Sequence, residues 1–139
     1  MNNKIIYVTR RETFSSSHRL HNPELSDEEN LRLFGKCNNL NGHGHNYILE
    51  VVVAGEINPF TGYLIDLKVL KKIIIENVIS KVDHKNLNMD VEFLKGVIPS
   101  AENIAVGIWD QLYDKLPTGK LYSVKLFETE NNYVEYKGE

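Results

Sequence analysis

The chain has 139 residues, 42% of them hydrophobic and 25% charged, and a formal net charge of −3. That composition fits one globular domain over residues 1–139, long enough to bury a core, and the acidic balance excludes the clustered positive surface of a nucleic-acid binder. A lone cysteine excludes an internal disulfide and fits a reducing, cytoplasmic compartment; the Met1-Asn2-Asn3-Lys4 start shows no apolar leader, and no apolar stretch approaches the roughly 20 residues that span a bilayer.

Lys4 to Ser17 is rich in β-branched and aromatic residues and predicts a long strand, wet on one face at Arg10-Arg11-Glu12. Asn22-Pro23 signals a turn. Ser26 before Asp27-Glu28-Glu29 predicts the cap and first turn of a short helix ending near Gly35. His21 reads as plain surface. Asn46 to Ile57 predicts a second strand, with Tyr47, Leu49, Val51 and Val53 on one face and Ile48, Val52 and Ala54 on the other, Glu50 being the exception. A strand with one wet face alternates apolar with polar. This one is apolar on both sides, which predicts helices over one face and another subunit over the other.

Asn58 to Gly62 is a turn signal, and Tyr63-Leu64-Ile65 predicts a short returning strand. Asp66 predicts the cap of a helix reaching about Val82, with Leu67, Leu70, Ile74 and Val78 as its apolar stripe, widened by Ile73 and Ile75. Asp83 to Asn88 reads as a polar loop. Ser100 predicts the cap of a further helix, with Ile104, Ala105, Ile108, Trp109, Leu112 and Leu116 inward and Pro117-Thr118-Gly119 as the stop. Leu121 to Glu128 predicts a strand, and Asn131-Asn132 a tight turn into Tyr133 to Lys137. The fold class is therefore α+β: a four-stranded antiparallel sheet with two helices packed on one face.

Chemistry concentrates between Gly35 and Tyr47, which holds the only cysteine and two of the five histidines. His43 and His45 are two apart, so on a strand they project from the same face. Paired neutral imidazoles suit zinc, which binds His nitrogen at about 2.0–2.1 Å and, when catalytic, keeps three protein ligands and one open position. His18, near the end of the first strand, is the best third ligand. The competing reading is a pair of structural histidines joined by a flexible glycine; the third histidine and nearby cysteine weigh against it. Cys37, flanked by Lys36, Asn38 and Asn39, is in poor company for a core residue. It either closes a structural metal site as fourth ligand or stands as a free thiolate beside an open metal, as base or nucleophile. On their own, Asp83-His84 read as a helix-end cap and surface pair, and Glu128 as a wet-face strand residue. Arg10, Arg11 and Lys36 read as a solvated face.

Taken together these motifs resemble the 6-pyruvoyl-tetrahydropterin synthase family, of the animal type, nearly end to end. The resemblance is carried by Phe14-Ser15-Ser16-Ser17-His18-Arg19-Leu20, by Leu33 to Asn39 running into Asn41 to Tyr47, by Asp83-His84-Lys85-Asn86-Leu87, by Phe127-Glu128-Thr129 and by the Tyr136-Lys137-Gly138-Glu139 ending. It implies a T-fold, in which subunits form a continuous barrel as trimers and two trimers stack into a hexamer. It implies a zinc-dependent lyase, also needing Mg²⁺, that converts 7,8-dihydroneopterin triphosphate to 6-pyruvoyl-tetrahydropterin with release of triphosphate, in tetrahydrobiopterin synthesis. On the family pattern His18, His43 and His45 hold the zinc, Cys37 accepts the proton, Asp83 and His84 form the relay that sets its protonation, and Glu128 anchors the pterin and joins the relay. Ser100, Ala101 and Glu102 fall where the family carries Ser/Thr-Thr-Glu in its pterin pocket, so Ala101 is a departure that removes one hydroxyl.

Three other readings remain open at this stage. The bacterial relative that makes 6-carboxy-tetrahydropterin for queuosine has three residues between its cysteine and the paired histidines; here five intervene, Asn38 to Gly42. A thiol hydrolase built on Cys37, His84 and Asp83 would need no metal. A non-catalytic zinc protein would use Cys37 as fourth ligand.

Overall fold

Two 14-residue strands form the spine of the molecule. In the computed structural model, which describes residues 4–139, β1 (Ile5–His18) runs antiparallel to β2 (His43–Glu56), paired from Ile5 opposite Glu56 to His18 opposite His43. Met1, Asn2 and Asn3, part of the stretch on which the leader reading rests, lie outside the described residues. β3 (Lys85–Asn86), β4 (Lys120–Thr129) and β5 (Asn132–Tyr136) complete a sheet in the order β3-β1-β2-β4-β5.

The sheet is therefore five-stranded and mixed, which corrects the expectation of four antiparallel strands. The extra strand is β3, parallel to Ser16–Ser17 of β1, inside the segment expected to be a polar loop. Its side chains are polar, so no hydrophobic period marks it. Backbone bonds flank it: His84 N–H donates to Ser15 O at 2.6 Å and Leu87 N–H to Ser17 O at 2.8 Å. Conversely, Tyr63-Leu64-Ile65 forms no strand. The Asn58–Gly62 turn closes as expected, but Leu64 and Ile65 then drop into the core, and the Leu64 carbonyl accepts the Thr118 hydroxyl at 2.7 Å.

α1 (Asp27–Phe34) starts in a reciprocal cap, the Ser26 hydroxyl accepting from Glu29 N–H and donating to its carboxylate. α2 (Leu67–Ile74) is capped by Asp66, which accepts from Lys68 N–H. The helix expected to run unbroken to Val82 instead passes through a π-helical turn, Ile75–Ile79, before α3 (Ser80–Val82). The buried stripe explains it. Leu70, Ile74, Val78 and Val82 are all fully buried at strict four-residue spacing. On a 3.6-residue helix that spacing drifts by about 40° per step, and a wider π turn absorbs the drift. Leu67, expected in the stripe, is exposed along with Lys68 and Val69, so packing begins only at Leu70.

α4 (Ala101–Leu112) is capped by Ser100 and buries Ile104, Ala105, Ile108 and Leu112, with Trp109 and Leu116 packed at the margin. These side chains join Phe14, Tyr47, Leu49, Val51, Val53, Val124 and Leu126 in one core. The opposite face of the sheet carries the exposed Tyr7 against Tyr122, ring centroids 4.7 Å apart, and the Arg11–Glu50 pair at 2.6 Å. Among the described residues no helix is long and apolar enough to cross a membrane.

Candidate active site

The inward face of β1 ends in Phe14, Ser16 and His18, and that of β2 begins with His43, His45 and Tyr47. The antiparallel register places His18 opposite His43 and Phe14 opposite Tyr47. The period-two spacing and this register bring three imidazoles to the open end of the core. One ring nitrogen from each lies within 4.8 Å of the other two, with His18 Nε2 and His43 Nε2 3.0 Å apart.

His18 is fully buried, and its Nδ1–H donates to the Pro99 carbonyl at 2.7 Å. That bond fixes the tautomer and leaves the Nε2 lone pair facing the other histidines, as ligating imidazoles require. Burial, reinforced by the neighbouring His43, holds the His18 ring below the usual imidazole pKa. Burial does the same for His45. Both rings are thus neutral near pH 7. His45 Nε2 is buried with no hydrogen-bond partner, an uncommon condition for an interior polar atom. An orphaned nitrogen converging with two others fits a metal ion, and the three histidines could hold one.

Glu128 reaches the same place. β4 pairs with β2 on the side away from β1, and Glu128 shares a strand face with Val124 and Leu126. Its two carboxylate oxygens lie 3.8 Å from His45 Nε2 and 3.9 Å from His18 Nε2. The wet-face reading of Glu128 is therefore wrong, because the residue faces the histidines. Tyr47, not singled out as a site residue, packs beneath them. It stacks on Phe14, and its hydroxyl is 3.4 Å from His18 Nδ1. Burial, helped by the Glu128 charge, pushes its pKa up. Its position two residues after His45 was the available signal; for Pro99 there was none.

Asp83 and His84 sit against β1, beside a cleft that also holds His45 and Glu128. Ser15 grips both: its N–H donates to Asp83 Oδ1 at 2.9 Å and its carbonyl accepts from His84 N–H. The Ser15 hydrogen bond lowers the Asp83 pKa, and His84 adds to the effect. His84 Nδ1 is 3.0 Å from Asp83 Oδ2, on a residue held at φ 60°, a conformation uncommon for a side chain larger than glycine.

Cys37 stands apart. It is half-buried on the 3₁₀ turn Gly35–Asn38 and lies outside both the histidine cluster and the cleft of Asp83 and His84. Among the described residues it is not a fourth ligand, and within one chain it makes no hydrogen bond to His84 or Asp83. This argues against both the closed structural site and a Cys–His–Asp hydrolase contained in a single chain. Ser100 follows Pro99 directly; its hydroxyl is engaged as the cap of α4, accepting from Asn103 N–H at 3.2 Å. Ala101 is half-buried against the core and Glu102 is exposed. His21 is not plain surface: it is half-buried and accepts a hydrogen bond from Asn38.

The chain resembles known proteins along nearly its whole length. A family model described as 6-pyruvoyl tetrahydropterin synthase matches residues 7–139. The chain is 58% identical over 132 residues to the 6-pyruvoyl tetrahydrobiopterin synthase of Homo sapiens, covering 95% of this chain and 91% of the relative. It is 49% identical over 136 residues to that of Dictyostelium discoideum, covering 98% of both. The solved structure of Caenorhabditis elegans 6-pyruvoyl tetrahydropterin synthase superposes with a TM-score of 0.93 at 43% identity, covering 100% of both chains. The chain belongs to the 6-pyruvoyl tetrahydropterin synthase family of enzymes.

Proposed function

We propose that the chain is a zinc-dependent lyase that converts 7,8-dihydroneopterin triphosphate to 6-pyruvoyl-tetrahydropterin and releases triphosphate. The observation that carries this reading is the convergence of His18, His43 and His45 beside Glu128, in a chain of this family. His18, His43 and His45 would hold the zinc. When bound, it supplies a Lewis acid that makes the C–H and O–H groups of the substrate side chain easier to deprotonate; Mg²⁺ is the second ion the activity needs. Cys37 is the proton acceptor. Asp83 and His84 relay protons to it, and Glu128 accepts N–H bonds from the pyrimidinone edge of the pterin as well as joining the relay. Ser100, Ala101 and Glu102 are assigned to the pterin pocket on the family motif alone.

The separation of Cys37 from Asp83 and His84 supports a site completed between chains. The exposed Tyr7 and Tyr122 on the uncovered sheet face support assembly into a barrel. We therefore take the working form to be a cytoplasmic homo-oligomer, a hexamer of two trimers, each chain a single catalytic domain.

The test is a product assay. Zinc-loaded protein and Mg²⁺ are incubated with 7,8-dihydroneopterin triphosphate and the pterin product is identified by mass. A 6-pyruvoyl product is expected. A 6-carboxy product would place the chain in the queuosine branch, and no turnover with zinc bound would overturn the reading.

A further inference from the structure

The histidine cluster borders a cleft lined by Ser15, Ser16, Ser17, His84 and Lys85 and two more of opposite character. One, next to His45, is lined by Asp83, Glu128 and Glu130. The other, a cleft of about 400 Å³ next to His18, is lined by Arg19, His21, Asn41 and Asn88 and by no carboxylate.

The two cationic or donor side chains of the second cleft are held in place by their neighbours. Arg19 N–H donates to Asn88 Oδ1 at 2.7 Å, and Asn88 Nδ2 donates back to the Arg19 carbonyl at 2.8 Å. Arg19 Nε donates to the Asn38 carbonyl at 2.9 Å. The guanidinium is thus fixed at Nε, while its two terminal nitrogens have no protein partner among the described residues. Asn38 Nδ2 donates to the Leu20 carbonyl at 2.9 Å and to His21 Nδ1 at 3.0 Å. With Nδ1 accepting, the neutral His21 ring carries its proton on Nε2, a second donor without a protein partner among the described residues. A tethered guanidinium and an N–H donor lining one cleft match the oxygens of a phosphate, and prior tethering reduces the entropy lost on binding.

We propose that this cleft is the polyphosphate subsite, with Arg19 and His21 gripping the triphosphate of the substrate and of the released product. The proposal rests on the pterin-triphosphate reading above. The polyanion is kept from the carboxylate-lined cleft by repulsion, and His18, shared by this cleft and the metal cluster, keeps the triphosphate close to the substrate side chain that bears it.

The experiment titrates zinc-loaded protein with inorganic triphosphate by calorimetry at fixed ionic strength, for wild type, Arg19→Gln, Arg19→Lys and His21→Ala. Arg19→Gln is expected to weaken binding by about tenfold or more, with Arg19→Lys restoring part of it and His21→Ala costing severalfold. Zinc per chain should stay at the wild-type value, while melting temperature falls by only the few degrees that one lost hydrogen bond costs. In turnover, Arg19→Gln should raise KM far more than it lowers kcat. Triphosphate affinity untouched by both substitutions and abolished by removing zinc would assign the contact to the metal and overturn the proposal. So would loss of binding only in step with loss of zinc. Because the ligand is inorganic triphosphate, Arg19-dependent binding in a protein that makes no pyruvoyl product would keep this subsite while refuting the function above.

Discussion

His18, the last residue of β1, and His43, the first of β2, occupy one rung of the sheet with their Nε2 atoms 3.0 Å apart. Neither strand end alone makes a site; the pairing does. Replacing His43 by Ala should leave the sheet intact and lower metal affinity by more than the about 10–100-fold typical of outer-shell changes. Competition with a chromophoric chelator measures it. Full metal occupancy in the variant would remove His43 from the ligand set.

Gly42 holds that rung in place. It sits at φ +74°, and a Cβ there would come within 2.9 Å of the His18 carbonyl oxygen. Gly42→Ala adds both backbone strain and a clash, so it should destabilise the fold by about 1 kcal/mol or more. It should also weaken metal binding without touching a ligand. Denaturant titration and chelator competition on the same sample would show the two losses together; loss of stability with wild-type metal affinity would separate the loop from the site.

Acid should weaken the metal-free protein. Burial lowers the pKa values of His18 and His45 below the unfolded value of about 6.5. Between the folded and unfolded values the unfolded chain binds more protons, so stability rises with pH there. The contribution is complete above about pH 6.5 and is lost as pH falls through the folded values. Asp83, lowered chiefly by its Ser15 hydrogen bond, acts with the same sign in a lower window, below about pH 3.9. Melting curves of chelator-treated protein between pH 7.5 and 5.5 should shift downward with acid, and a flat profile would contradict buried neutral histidines. Metal loading should steepen the dependence, since protons compete with the ion for the same nitrogens.

Cys37→Ala distinguishes a base from a ligand. Cys37 lies outside the histidine cluster, so the variant should keep one zinc per chain and lose turnover. Mixed oligomers of Cys37→Ala and His84→Ala chains should recover part of the activity if the site is completed between chains. Loss of zinc in the single variant would return Cys37 to the ligand set.

The histidine pair was legible because strand side chains alternate with period two, and β1 was legible enough to offer His18. Glu128 was readable as a site residue only through the family motif, because its approach depends on β4 pairing with β2. β3 could not be read: it is joined through the backbone of polar residues, which carry no hydrophobic period. Leu64 and Ile65 misled because a short apolar run suits a strand and a buried connection equally. The π turn was hidden because a four-residue stripe looks the same on paper whether or not the helix widens to keep it facing inward. The family motif groups Cys37 with Asp83 and His84 in a site completed across subunits, and within one chain Cys37 lies outside their cleft.

Pro99 lies outside the sheet, one residue before the cap of α4. Its carbonyl orients His18, 81 residues away in sequence. The aim of a metal-competent imidazole and the start of a core helix are therefore set at one joint. A shift of α4 along its axis would turn the ring, and an ion bound at Nε2 would stiffen the helix entrance in return.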